Sequence, residues 1–135
     1  MVSFPDRIAV RPFELENEPA MSRKPRVAAI QMASSPHVSA NLLEAQRLIQ
    51  EAVDESGANL VVLPENFAFM GEKDRDLLDL CEAEGQGPLQ DFLAEMASRH
   101  RIWLVGGTLP LTAQNPGRVR AACLVFNDRG ERVAR

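Results

Sequence analysis

Three short apolar runs separated by two amphipathic stretches dominate what this chain can become. Val27 to Met32, Leu60 to Leu63 and Ile102 to Val105 have the length and aliphatic content of buried strands. Between the first two, from about Ser39 to Ser56, Leu42, Ala45, Ile49, Ala52 and Val53 share one helical face. Glu44, Arg47, Glu51, Asp54 and Glu55 share the other. Gly57 stands where a helix stops, and Asn41 with Glu44 has the spacing of a capping box. Between the second and third runs, Pro88 suits the first position of a helix whose buried stripe is Leu89, Phe92, Leu93, Met96, Ala97 and His100. A weaker helix is expected from Asp74 to Ala83. Strand, helix, strand, helix, strand requires parallel pairing through right-handed crossovers, so the fold class is α/β.

Leu60-Val61-Val62-Leu63 is apolar on both sides of the pleat, which predicts an interior strand covered on both faces or packed sheet against sheet. After the third run come Gly106-Gly107 and a polar loop with Pro110, Pro116 and Gly117. A fourth strand, Ala121 to Phe126, follows. Asn127-Asp128-Arg129-Gly130 then turns an antiparallel hairpin whose second strand, Glu131 to Arg135, closes the sequence. Residues 1–25 are different: Pro5, Pro12, Pro19 and Pro25 lie among charges with no helical or strand period. They read as a flexible arm ahead of one domain, 26–135, and Met21-Ser22-Arg23-Lys24 also has the look of an alternative translation start.

Composition excludes several classes. The 135 residues are 45% hydrophobic and 25% charged, which suits one globular domain, and the net charge of −4 leaves no basic surplus for nucleic acid or an anionic membrane. No apolar run approaches the roughly 20 residues that span a bilayer. Cys81 and Cys123 cannot make a disulfide framework and have no zinc-type spacing, so a reducing, cytoplasmic setting is expected.

In an open α/β sheet, ligands gather beyond the carboxyl ends of the strands, and Pro64-Glu65-Asn66-Phe67 leaves the second strand there. A carboxylate at a dry strand end beside Phe67 and Phe69 can have its pKa raised into the range of a general base. A loop glutamate is also an ordinary solvated charge, and both readings stay open on these residues alone. The other candidates read as structural. Gly106-Gly107-Thr108 suits a tight turn or close packing better than anion binding. His37 lies in a loop, and His100 ends a helix, where the dipole favours an imidazolium. Cys81 and Cys123 read as small core or half-core residues, and Arg118, Arg120, Arg129, Arg132 and Arg135 as a solvated rim.

Taken together, Arg26-Val27-Ala28-Ala29-Ile30-Gln31-Met32, the Asn41-Leu42 helix start, Leu60 to Phe67, Gly87-Pro88, Ile102 to Thr108 and Asn127 to Gly130 resemble the nitrilase superfamily of carbon-nitrogen hydrolases. The likeness is to its bacterial amidases of the deaminated-glutathione or omega-amidase kind, and covers about residues 26–135. It implies the N-terminal half of an α-β-β-α sandwich, a small amide substrate and, for a complete domain, a dimer. It also implies a Glu, Lys and Cys triad. Cys attacks the amide carbon, Glu accepts its proton and later activates water, and Lys steadies the tetrahedral species. Such a thiol nucleophile needs no metal or organic cofactor, so the resemblance implies none. Glu65 matches that Glu, while Phe67 and Phe69 are candidates to line an acyl pocket. The Lys and Cys have no counterpart among these residues. The implied expectations are that this chain alone does not hydrolyse amides, and that its strands leave uncovered faces and a raw edge. The alternatives are a noncatalytic partner-binding module derived from a hydrolase, and a small α/β ligand-binding domain.

Overall fold

The computed structural model describes residues 9–12 and 24–135. Its strands are β1 (Ala9–Pro12), β2 (Arg26–Ala29), β3 (Leu60–Val62), β4 (Trp103–Val105), β5 (Leu109–Thr112), β6 (Val119–Ala122), β7 (Val125–Phe126) and β8 (Arg132–Ala134). Two α-helices, α1 (Val38–Ser56) and α2 (Pro88–His100), and a 3-10 turn over Asp74–Leu80 complete the described elements. A six-stranded sheet runs in the order β1-β2-β3-β4-β7-β8, with β2, β3 and β4 parallel, and β5 and β6 form a separate two-stranded sheet.

The α/β class and the parallel centre follow the sequence reading. Cα partners across the sheet put Ala28, Val61, Leu104 and Phe126 in one row, and these are 0%, 0%, 0% and 4% exposed. Helices α1 and α2 pack on each other and over β2, β4 and β7 to cover that row. On α1 the buried residues are Asn41, Ala45, Leu48, Ile49 and Ala52. Its C-cap is Gly57 in the left-handed region (φ 63°), as expected, with its N–H directed to the Ala52 and Val53 carbonyls. On α2, Leu89, Leu93, Met96 and Ala97 are buried and Phe92 is half-buried against the same core.

Four expectations are corrected. Ala9–Pro12, read as part of a flexible arm, pairs antiparallel with β2; an open parallel edge supplies backbone partners whatever the side-chain pattern, and Pro12 is tolerated at a strand end. The other residues of that arm lie outside those described. The loop with Pro110 is strand β5, because Pro110 sits in a two-stranded ladder where its missing N–H costs little. Ala121 to Phe126 is not one strand. The chain leaves β6 at Ala122, passes Cys123 and Leu124, and re-enters the large sheet as β7, with the Leu124 carbonyl accepting from Gly106 N–H at 2.8 Å. Cys123 is therefore exposed at the corner rather than in the core.

The fourth correction concerns the reading of Leu60 to Leu63 as covered on both faces; the uncovered strand faces that the resemblance implies are present. β3 is interior between β2 and β4, but only one face of the large sheet is buried. The opposite rows, Val27-Leu60-Trp103 and Ala29-Val62-Val105-Val125, are half-buried or exposed, and Trp103 is 45% exposed. The hairpin turn falls where expected: Asn127 Oδ1 accepts from the Arg129 and Glu131 N–H groups, and Gly130 takes φ 77°.

Candidate active site

Residues 64–70 leave β3 at its carboxyl end and form the candidate site. The turn is anchored on both flanks. On one side, Leu63 N–H reaches the Val105 carbonyl (2.9 Å), and Asn66 N–H donates to the Thr108 hydroxyl oxygen (3.0 Å). Gly107 makes this approach possible: it has φ +55°, and a Cβ there would lie 2.0 Å from the Pro64 carbonyl oxygen. Gly106 is also closely packed, though less strictly, since its Cβ would lie 2.5 Å from the end of the Leu93 side chain on α2 and 3.2 Å from the Leu124 carbonyl oxygen. The turn-and-packing reading of Gly106-Gly107-Thr108 accounts for both contacts.

On the other side, Asn41 does what its sequence position did not announce. It is 3% exposed, and its amide donates to the Ser35 carbonyl (2.7 Å) and the Ala68 carbonyl (2.8 Å) while its oxygen accepts from Ser35 N–H (2.9 Å). The expected capping box with Glu44 is absent. The helix begins a turn earlier, at Val38 with His37 in the N-cap position, and Glu44 pairs with Arg47 instead. The legible signal was a polar residue on the apolar stripe of α1, one turn before Ala45, where a buried amide has to find partners. Ser34 adds a further hydroxyl donor to the Phe67 carbonyl (3.2 Å).

Glu65 sits between these anchors and is exposed, and among the described residues none hydrogen-bonds or pairs with its carboxylate. The dry surroundings expected for it are absent here. Clefts of about 410 Å³, lined by Leu60, Arg101, Trp103 and Asp128 among others, and about 260 Å³, around Arg26 and Gly57, lie at the start of the parallel strands, not at Glu65. Phe67 and Phe69 divide. Phe67 is 0% exposed and stacked on Phe92, with ring centroids 6.3 Å apart, so it is a core residue and its substrate-lining role gives way to packing. Phe69 is half-buried.

A second glutamate went unnoticed in the sequence. Glu82 is 7% exposed and its carboxylate accepts from Leu89 N–H (2.5 Å), Gln90 N–H (3.2 Å) and the Gln90 side chain (3.0 Å). It satisfies the open N–H groups at the start of α2, where the helix dipole also favours a negative charge. Gly87 leaves room for it, because a Cβ there would lie 2.3 Å from the carboxyl carbon.

The remaining candidates stay structural. Cys81 is half-buried, its thiol facing the Leu77 carbonyl (3.3 Å), and burial pushes its pKa up, away from the thiolate. His100 is half-buried with Nε2 unpartnered; burial, then Arg99, push its pKa down against the opposing pull of Asp54. Desolvation thus outweighs the dipole argument that favoured an imidazolium. Arg120, Arg132 and Arg135 are not a free rim: all three reach Glu84, at 2.7, 3.0 and 2.6 Å, and Arg129 pairs with Glu131. Arg118 is exposed. Among the described residues no group of three or more His, Cys, Asp or Glu is arranged to hold a metal, and no helix is long and apolar enough to cross a membrane.

The carbon-nitrogen hydrolase pattern matches residues 26–135. A deaminated glutathione amidase of Synechocystis is 37% identical over 109 residues, which are 80% of this chain and 39% of that protein. The omega-amidase NIT3 of Saccharomyces cerevisiae is 31% identical over 117 residues, 84% of this chain and 40% of that protein. The crystal structure of yeast Nit3, of the nitrilase superfamily, superposes with a TM-score of 0.71 at 30% identity over 80% of this chain and 41% of that one. An amidase from Nesterenkonia sp. AN1, solved as a double mutant in complex with acrylamide, has a TM-score of 0.67 at 25% identity over 82% of this chain and 41% of that one. The chain thus spans about two-fifths of the length of the relatives it matches. With a parallel β2-β3-β4 centre, two helices on one face and a match running through every element from β2 to β8, this chain belongs to the carbon-nitrogen hydrolase family.

Proposed function

We propose that these residues carry the general-base portion of an amidase site, with Glu65 as the base and a small amide as substrate. The observation that carries the reading is the fixed turn at the carboxyl end of the central strand β3, which holds both residues beside Glu65 and leaves its carboxylate free. In the triad that family resemblance implies, that carboxylate takes the thiol proton as the amide carbon is attacked, returns it to the departing amine, and then activates water. The amidases among the relatives, one of them in complex with acrylamide, support the substrate class. Phe69 is the aromatic that remains available as a pocket wall. A dry site around Glu65 requires a further layer over the open face of the sheet. Neither Cys81 nor Cys123 is near the turn in the chain, and burial pushes the Cys81 pKa up, away from the thiolate, so in this reading the 135 residues alone are inactive.

Two assays test it. The purified chain, offered a panel of omega-amides, releases no ammonia; turnover abolished by Glu65→Gln would overturn the inactivity. A chimera in which residues 26–135 replace the matching stretch of the Synechocystis amidase releases ammonia, and Glu65→Gln in it lowers kcat by roughly 10²–10⁴-fold. An unchanged kcat would remove Glu65 from the chemistry. The open apolar face of the sheet favours a second reading, a noncatalytic module that docks on a protein partner, and an inactive, stably folded chimera would move the balance to it.

A further inference from the structure

We propose that Thr108 is a positioning residue for Glu65, acting through its hydroxyl oxygen on the Asn66 backbone. The inference rests on the reading of Glu65 as the general base and assigns the part that aims it. Asn66 takes the left-handed conformation, φ 54°, which among non-glycine residues Asn tolerates best but which still needs holding. Within the turn, Phe69 N–H uses the Asn66 carbonyl (3.1 Å), while Asn66 N–H finds its partner only 42 residues away at Thr108. Gly107 carries Thr108 close enough by lying directly against the Pro64 carbonyl. The residues on either side of Glu65 are therefore gripped by two consecutive residues after β4, which fixes the direction of the Glu65 Cα–Cβ bond. That matters for a base because a misplacement of about 1 Å costs roughly 10²-fold in rate. Valine would fill the space of Thr108 equally well. The hydroxyl oxygen is what this contact uses.

The test is residue-resolved amide hydrogen exchange on the 135-residue chain, with Thr108→Val and Thr108→Ser. Thr108→Val is expected to speed exchange of the Asn66 amide about tenfold. The Ile30 and Leu63 amides, bonded to the Val62 and Val105 carbonyls, keep their wild-type rates. Thr108→Ser restores slow exchange at Asn66. Unchanged Asn66 exchange in Thr108→Val, equal acceleration at Ile30 and Leu63, or a serine that fails to restore protection would each overturn the role. If the valine variant does not fold, Thr108→Ala against Thr108→Ser reads the same amide. Failure of Glu65 as a base appears in the chimera's kcat and leaves these exchange rates untouched, so the two ideas fail separately.

Discussion

The two faces of the large sheet are made by the same strands and have opposite fates. On one, Ala28, Val61, Leu104 and Phe126 lie beneath α1 and α2 and lose essentially all contact with water. On the other, Leu60, Val62, Trp103 and Val105 alternate with them in the same strands, are just as apolar, and keep contact with solvent. Strand composition alone therefore marks a sheet meant to be covered twice, while burial shows which cover these residues provide. Two glutamates repeat the lesson. Glu82 is buried and fully engaged at the start of α2, whereas Glu65 is exposed on a turn whose neighbours are anchored. The first closes a helix start, and the second has no side-chain partner among the described residues, which leaves it available for the role proposed for it.

The largest expected difference lies between adjacent residues of β4. Leu104→Ala removes a fully buried side chain and should cost about 2–5 kcal/mol in urea denaturation, while Trp103→Ser on the open face, where nearly half of the residue is already exposed, should cost less, about 1–2 kcal/mol. Similar costs would mean that both faces are covered in solution. Next, Glu82→Ala strips the acceptor from three donors and should cost about 1–3 kcal/mol, against less than about 0.5 kcal/mol for Glu65→Ala. A destabilising Glu65→Ala would break the division between the two carboxylates.

Sedimentation addresses the open face more gently. Val62→Lys and Trp103→Ser are expected to reduce concentration-dependent association of the chain while Leu43→Ser, an exposed position on α1, leaves it unchanged. The smallest effect is a pH dependence. Because burial lowers the His100 pKa in the fold, the unfolded chain binds that proton more readily, so stability is full above the ordinary histidine value near 6.5 and declines as pH falls below it. Asp54 pulls the other way and Arg99 adds to the effect. His100→Gln should flatten the change in thermal midpoint between pH 7 and 5, and an unchanged slope would assign the acid sensitivity to carboxylates.

Much of the architecture was legible because it depends on local pattern. The stripe on α1 and its Gly57 stop, Pro88 at the first turn of α2, and the Asn127 to Gly130 hairpin are read within a few residues of themselves. Errors came where a distant partner decides. Pro110 argues locally against a strand, but β6 supplies a ladder in which it fits. Apolar continuity joins Ala121 to Phe126, yet the chain changes sheets between them. At the site, the position of Glu65 was visible as a Pro-Glu turn after an apolar strand. Its anchors were not: Asn41 to Ala68 spans 27 residues and Thr108 to Asn66 spans 42.

The sequence by itself determined the order of elements, the parallel centre and the one glutamate at the end of β3, because periodicity, helix stops and turn residues act over a few residues of chain. The tertiary structure decided which face of the sheet is buried, that Glu82 closes a helix start and that Asn41 and Thr108 hold the Glu65 turn. Those outcomes depend on hydrogen bonds and packing between segments remote in sequence, whose partners no local pattern specifies.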